Sequence, residues 1–201
     1  MKIVSMQDKL KGRKCFICKT KGCIGQSQLK VFCSIDCQAK LGLILMKKNK
    51  EEDDKSHKRE TKRRRKEAMT RTEWYDKLQK LVNQYVLHVR DKDKPCCTCG
   101  KSKASVKYDA GHYRSRGACS ELRFELNNIH KQCSVICNQV GSGMRAEYIL
   151  FIKEEYGDQV LDWLDGPHVS LKTVFPHWSD IEKEILKYRK LLRDNGVKPS
   201  A

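Results

Sequence analysis

The chain has 201 residues, 39% hydrophobic and 33% charged, which allows one medium domain or two small ones with a modest core. Its formal net charge of +17 favours a polyanionic partner; nucleic acid is the commonest, and an anionic membrane surface is the competitor. No run approaches about eighteen apolar residues, and the first residues lack a signal-peptide pattern, so we expect a soluble intracellular protein with no membrane partner.

Eight of the eleven cysteines fall into two groups with the same spacing. Each group is a C-x2-C pair followed by a C-x3-C pair: Cys15, Cys18, Cys33 and Cys37, then Cys96, Cys99, Cys133 and Cys137. In a reducing compartment such thiols are more often metal ligands than disulfides, and an odd total fits disulfides poorly. The spacing predicts two structural Zn²⁺ ions, each held by four thiolates. Cys23, Cys97 and Cys119 are left without an assigned role.

Residues 1–46 contain the first cysteine group and predict an N-terminal zinc finger. The stretch 15–37 suggests a cysteine knuckle, a β-hairpin at "QLKVFC" and a second cysteine pair that opens a helix. This order is treble-clef-like, a layout in which zinc holds together a module too small to fold on its own core. Cys23 is the alternative ligand, although its spacing suits the hairpin loop better. Fingers of this size bind DNA, RNA or protein, so the function of this one stays open.

Residues 47–71 form a charge-rich linker with almost no apolar residues. We expect either a solvated helix or a segment that is disordered when free. Its block "KRRRK" contains Arg63, Arg64 and Arg65, which are candidates for contacts with DNA phosphates through counterion release. The alternative is a solubilising spacer with no partner.

Residues 72–157 form the predicted core, and residues 158–201 a C-terminal helical region. Apolar residues at helical spacing from Trp74 predict an amphipathic helix to about Arg90, before the second knuckle. Further helices are predicted in "MRAEYILFIKEEY", ended by Gly157, and in "DQVLDWLDG". A capping box at Ser179–Glu182 predicts the start of a last helix.

The stretch between the cysteine pairs of the second group carries the chemistry. "VKYDAGHYR" predicts a strand with His112 on it, Asn128 lies in the turn or loop before Cys133, and "CSVICN" opens a helix that carries Asn138. A zinc site at their base would hold His112 and Asn138 across a small cleft. A histidine titrates near neutral pH and can accept a proton from water. His112 could otherwise be a zinc ligand or a buried packing residue.

This pattern resembles the ββα-metal, or HNH, nucleases. They have a histidine on the first strand, an asparagine five residues before a cysteine, and a histidine or asparagine directly after a second cysteine. The resemblance implies that His112 is the general base, that Asn128 holds the loop and orients the histidine through its backbone carbonyl, and that Asn138 binds a catalytic Mg²⁺ or Mn²⁺.

One position departs from the HNH pattern. Many HNH enzymes have an acidic or histidine metal ligand directly before the catalytic histidine, and here that position is Gly111. Asp109, on the same strand face as Gly111, is the nearest substitute, and His130 is another candidate ligand or phosphate contact. The implied fold is α+β: a small zinc-stabilised ββα-metal core with flanking helices, plus the treble-clef-like finger.

Nearly the whole chain resembles the phage NinG family, which includes a recombination protein of phage lambda. The resemblance rests on the order finger, basic linker, helix with "RDKDKPCCTCG", then "AGHYRSRG", "ELRF", "NNIHKQC" and "CN". It implies a structure-selective endonuclease that cuts branched recombination intermediates, such as Holliday junctions and D-loops, in the cytoplasm of the bacterial host. Cys133-x3-Cys137 departs from the two-residue spacing expected of that family, and the extra residue could shift Asn138.

Three further arginines bear on the expected partner and function. Arg114, Arg116 and Arg123 flank the cleft sequence and are candidates for DNA contacts, with solvated surface arginine as the alternative. Branched DNA is the expected partner, and a homodimer is left open. The rival class is a non-catalytic DNA-binding recombination accessory protein with zinc as scaffold. RNA binding is a third reading, weakened by the lack of an RNA-stacking motif.

Overall fold

The computed structural model describes residues 10, 12–27, 30–102 and 105–200. The chain divides into two compact units, Met1–Ala68 and Met69–Ala201. The four predicted segments therefore group in pairs: the linker continues the helix of the finger, and the C-terminal helices belong to the unit with the second cysteine group. Residues 1–9 of the predicted finger and its hairpin turn at 28–29 lie outside the described residues.

The first unit has the predicted order of knuckle, hairpin and helix. Strands β1 (Gly25–Ser27) and β2 (Lys30–Phe32) are antiparallel, and helix α1 (Ile35–Glu67) follows. The side chain of Ser34 accepts a hydrogen bond from the backbone N–H of Cys37, so this N-cap also fixes a cysteine of the first group. The small core consists of the buried cysteines and the side chains Leu10, Val31, Phe32 and Leu41.

Helix α1 continues without a break through the predicted linker, so the solvated helix is the alternative that the structure shows. Its 33 residues make it about 50 Å long. Ion pairs along its surface support it: Glu60 contacts both Arg63 and Arg64, and Glu67 also contacts Arg63. None of the helices in the described part of the chain is long and apolar enough to cross a lipid bilayer.

The second unit is built on a pair of helices that are distant in sequence. Helix α2 (Arg71–Tyr85) begins with a capping box between Thr70 and Glu73, and a π-helical turn, Val86–Arg90, extends it as far as the sequence predicts. The apolar face of α2 packs against the last helix, α6 (Trp178–Asp194), and Trp74 stacks on Trp178. The N-cap of α6 is His177, paired with Asp180, so the predicted capping box at Ser179–Glu182 is wrong.

A two-stranded sheet and a π-helix lie beside this helix pair. Strand β3 (Tyr108–His112) runs antiparallel to β4 (Ile129–Cys133), and the π-helix Ser134–Val140 follows directly. The hydrogen bonds of a π-helix span five residues, one more than those of an α-helix. The extra residue of Cys133-x3-Cys137 is accommodated in this way, because Cys137 remains buried with its sulfur 3.8 Å from that of Cys96.

Three shorter helices complete the second unit. They are α3 (Arg145–Tyr156), α4 (Asp158–Asp165) and α5 (Leu171–Val174). Helix α3 ends before Gly157, whose φ of 85° lies in the left-handed region, as the sequence predicts for a terminal glycine. Helices α3 and α4 bury Tyr148 and Leu164 in a second hydrophobic cluster. The chain is therefore of mixed α+β class, as predicted.

Candidate metal centres and active site

The two four-cysteine groups have the geometry of zinc sites. In each group, the four Sγ atoms all lie within 4.8 Å of one another. A tetrahedral Zn²⁺ with Zn–S bonds of about 2.3 Å requires Sγ atoms about 3.8 Å apart. The Cys33–Cys37, Cys96–Cys137 and Cys99–Cys133 sulfurs are separated by 3.8 Å, and those of Cys18 and Cys33 by 3.2 Å. Both groups could therefore each hold one zinc ion, and these distances are too long for disulfides.

The remaining cysteines belong to neither group. The buried thiol of Cys23 donates to the carbonyl of Arg13 at 3.2 Å, so the alternative ligand of the finger has another partner. Cys97 is buried, and burial raises the pKa of its thiol. Cys119 is buried beside Glu121.

An open cleft of about 410 Å³ brings together the main predicted site residues. Its lining comprises Asn83, Leu87, Asp109, Ala110, His112, Ser115, Arg116 and Asn138. Strand β3 contributes Asp109 and His112, and the π-helix contributes Asn138. The strand and the π-helix, joined through the second cysteine group, thus form two sides of the cleft, and Asn83 and Leu87 line a further side.

His112 has the protonation state that a base requires. Its Nε2 lies 3.3 Å from the carbonyl oxygen of Arg123. The carbonyl of Ala110 is a second backbone partner of the ring, so two acceptors orient the imidazole. Burial lowers the pKa of His112 from its ordinary value and outweighs these two hydrogen bonds, which raise it. The imidazole is therefore neutral near pH 7.

Asp109 and Asn138 meet across the cleft. The Nδ2 of Asn138 is 3.3 Å from the Asp109 Oδ2, which also accepts from the Ser134 hydroxyl at 2.6 Å. Rotating the amide of Asn138 by half a turn would present its oxygen instead. One carboxylate and one amide oxygen on an open cleft suit a hard cation such as Mg²⁺, which retains several water ligands. These two residues could hold the divalent ion.

Asn128 holds the loop between the strands, but through different contacts from those the HNH resemblance implies. Its buried side chain bonds to the backbone N–H and carbonyl of Arg114 and to the carbonyl of Leu122. Its own carbonyl accepts from the N–H of Tyr113. The carbonyls that contact the His112 ring belong to Arg123 and Ala110, so the implied role of the Asn128 carbonyl is wrong.

His130 is a structural residue, so its prediction as a metal ligand or phosphate contact is wrong. Only 1% of it is exposed, and its ring lies between the hydroxyls of Tyr148 at 3.0 Å and Tyr156 at 3.1 Å. The Tyr148 hydroxyl donates to the carbonyl of Gly111, so it accepts from the Nδ1 of His130. Burial lowers the pKa of His130 to about 3, which keeps the ring neutral.

Gly111 has a packing reason that explains the missing acidic ligand. A Cβ at this position would lie 2.3 Å from the Oε1 of Gln132, a β4 residue that is paired with Asp109 in the sheet. The Gln132 amide donates to Thr98 and to the carbonyl of Gly143. The side chain therefore fills the space in which a ligand before His112 would otherwise stand.

The structure separates the arginines that the sequence proposes for DNA contacts. Arg116 is exposed and lines the cleft. Arg114 donates to carbonyls at the end of α4, and Arg123 binds Asp76 and Gln79. These two side chains are bound within the fold, and DNA contacts by all three arginines stay a prediction. In α1, Arg63 and Arg64 are paired with Glu60, and Arg65 is exposed.

Sequence reasoning missed three contributors to the cleft. Ser134 bonds to Asp109, and Asn83 and Leu87 enter the lining from α2 and its π-helical turn. A polar residue at Asn83, beside the apolar face of a predicted core helix, is the signal that could have indicated this contact. For Ser134 the signal is weaker, because a serine next to a cysteine ligand is common in loops.

Comparisons with known proteins agree with the resemblance seen in the sequence. Residues 7–195 match the family described as "Bacteriophage Lambda NinG protein". "Protein ninG" of Salmonella phage P22 is 34% identical over 175 residues, covering 82% of this chain and 85% of the relative. "Protein ninG" of Escherichia phage lambda is 33% identical over 175 residues, covering 82% and 84%. That of Escherichia phage 933W is 40% identical over 98 residues, covering 49% and 47%. No solved structure matches the chain.

Proposed function

This chain belongs to the NinG family of phage proteins, and from that premise we propose that it is a metal-dependent DNA endonuclease of the HNH type. Its substrates would be branched recombination intermediates, such as Holliday junctions and D-loops, in the host cytoplasm. The observation that carries the proposal is the cleft in which Asp109, His112 and Asn138 converge.

Four residues of the cleft have a role in the proposed phosphodiester hydrolysis. The imidazole of His112, neutral near pH 7, would accept a proton from the attacking water. Asp109 and Asn138 would hold Mg²⁺ or Mn²⁺, which would supply stabilisation of charge on the scissile phosphate and the leaving 3′ oxygen. Arg116 lies on the cleft rim, where its guanidinium can bind a phosphate oxygen.

The second cysteine group supports the cleft without a direct part in the chemistry. Four thiolates fill the coordination sphere of zinc and leave no open position for water. Cys133 ends β4 and Cys137 lies in the π-helix directly before Asn138. The site would thus fix the two walls of the cleft relative to each other.

The distribution of charge supports a nucleic-acid substrate. Residues 1–68 contain 20 Lys and Arg against 8 Asp and Glu, a net charge of +12, whereas residues 69–201 contain 22 against 17, a net charge of +5. Most of the attraction for phosphates therefore comes from the first unit, and the second unit contributes the cleft. Selectivity for branched DNA rests on the family resemblance.

A non-catalytic accessory protein is the second candidate, favoured by the absence of an acidic ligand at Gly111. Incubation of the purified protein with a labelled four-way junction, with and without Mg²⁺ or Mn²⁺, separates the two. The endonuclease proposal predicts metal-dependent cleavage, with Asp109→Asn and Asn138→Ala both needing more metal to reach the wild-type rate. Ser115→Ala, which alters the same cleft without removing a ligand, is the matched control. Binding of the junction without cleavage at any metal concentration would favour the accessory protein.

A further inference from the structure

Two aromatic side chains are exposed among the Phe, Tyr and Trp residues that the structure describes. Phe16 is 37% exposed in the first unit, and Trp163 is 48% exposed in the second. Exposed aromatic rings are the surfaces on which nucleic-acid bases stack, provided that the surroundings tolerate phosphates. The two rings differ in this second requirement.

Phe16 lies on the first cysteine knuckle among lysines. The Nζ of Lys30 is 4.1 Å from its ring centroid, and the Nζ of Lys19 is 4.9 Å away. The Lys19 ammonium also donates to the carbonyl of Phe16, and the Phe16 N–H donates to the carbonyl of Val31 in β2. The backbone that carries the ring is thus fixed by hydrogen bonds, whereas the ammonium groups of Lys19 and Lys30 are on flexible side chains.

The segment of sequence around Phe16 carries charge of one sign. Between Asp8 and Asp36 the sequence has seven Lys or Arg residues and no acidic residue. Lys14 and Lys21 are exposed partners in a β-bridge, where like charges face each other at a cost in stability. A bound polyanion would offset that repulsion.

Trp163 has the opposite surroundings. It borders a groove of about 610 Å³ whose lining includes Glu121, Glu125 and Glu184 against a single Lys187. Carboxylates at these positions repel phosphates. Of the two exposed rings, only Phe16 therefore meets both requirements for stacking a base.

We propose that the N-terminal finger binds single-stranded DNA, with an unpaired base stacked on Phe16 and with Lys19 and Lys30 on the flanking phosphates. Duplex bases are already stacked on their neighbours and would not present a free face. The inference rests on the proposed function, since the displaced strand of a D-loop exposes unpaired bases. It assigns to the finger a share of the selectivity for branched DNA. The alternative is that the lysines only neutralise the charge of a zinc–thiolate site.

Fluorescence anisotropy with a short labelled thymidine oligonucleotide tests the proposal on the full-length protein without added Mg²⁺ or Mn²⁺. Phe16→Ala should weaken binding roughly 5- to 100-fold, the usual loss for one stacked base. Phe16→Tyr should retain binding, and the matched control Trp163→Ala should leave it unchanged. Zinc content should stay at the wild-type level in all three, since none of these residues is a ligand.

The salt dependence separates stacking from charge. Phe16→Ala should leave the slope of log affinity against log salt unchanged, while Lys19→Ala with Lys30→Ala should flatten it by about 0.7 for each phosphate that is no longer neutralised. Wild-type affinity of folded, zinc-replete Phe16→Ala for the oligonucleotide would overturn the proposal. That result would leave the endonuclease proposal intact, because no cleavage is measured.

Discussion

The two cysteine groups share one spacing but stand in different surroundings. The first lies in a small basic module, in which the core consists mainly of the cysteines themselves and four apolar side chains. The second lies in a unit with two further hydrophobic clusters, and its last two cysteines lie directly before and within the π-helix that carries Asn138. The same ligand pattern can thus replace a core in one region and position a candidate active site in another.

Removal of a zinc ligand should give the largest loss of stability, and the loss should be confined to the unit that contains the ligand. Structural zinc contributes about 10–16 kcal/mol of apparent binding free energy in small fingers, so Cys37→Ser should unfold the finger and Cys133→Ser should disrupt the cleft. All three tryptophans, Trp74, Trp163 and Trp178, lie in the second unit, so their fluorescence reports on that unit alone.

The measurement is zinc content together with thermal unfolding followed by tryptophan fluorescence. Each variant should lose one of two zinc ions, but only Cys133→Ser should shift the fluorescence transition. An equal shift for Cys37→Ser would show that the two regions fold as one. Two zinc ions in well-folded Cys133→Ser would exclude the second group as a zinc site.

Acid should destabilise the second unit through His130. The folded pKa of about 3 lies below the ordinary 6.5, so the unfolded chain binds a proton first as pH falls. The contribution of His130 to the free energy of unfolding is fully present above pH 6.5. It should fall by roughly 3 kcal/mol between pH 7 and pH 4. His130→Gln should lose correspondingly less over that range in denaturant titrations. Identical pH profiles for the two proteins would contradict the buried neutral histidine.

The close approach of Gly111 to Gln132 predicts a smaller loss of stability. Gly111→Ala places a Cβ 2.3 Å from the Gln132 Oε1, and such overpacking costs about 1–3 kcal/mol. Gln132→Ala in the same chain should recover part of that loss in a double-mutant cycle. Gly117→Ala, where the nearest atom is 4.0 Å away, is the control. Additive losses in the cycle would mean that the two side chains do not compete for space.

Neutralising the arginines of the predicted linker should give the smallest effect, a modest loss of DNA affinity. Neutralising Arg63, Arg64 and Arg65 should weaken binding to all DNA forms and flatten the salt dependence, because phosphate contacts carry no sequence information. Glu60→Gln should act in the opposite direction, since Glu60 pairs with two of these arginines. Anisotropy titrations at several salt concentrations measure both. An unchanged slope in the triple variant would make α1 a solvated spacer.

Local patterns predicted much of this molecule. The cysteine spacing indicated both thiol groups, the apolar period from Trp74 indicated α2, and the glycine after Tyr156 marked the end of α3. These features depend on residues close together in sequence, for which spacing and chain direction suffice.

The sequence did not predict contacts between distant segments. His130 is enclosed by tyrosines of α3, and Arg114 is bound by carbonyls at the end of α4; neither partner is indicated near these residues in the sequence. The carbonyl of Arg123 reaches His112 because the intervening loop folds back on Asn128. A polar residue beside a predicted site is therefore ambiguous until the packing around it is known.

The central claim is that the cleft hydrolyses DNA with His112 as its base, and single-turnover cleavage of a four-way junction tests it most directly. His112→Ala should lower the rate by roughly 10²–10⁴, with junction binding and zinc content unchanged. His57→Ala, an exposed histidine of α1, should cut like the wild type. The wild-type rate should fall only as pH drops through a His112 pKa below its ordinary value. A folded, zinc-replete His112→Ala protein that cuts at the wild-type rate would contradict the account.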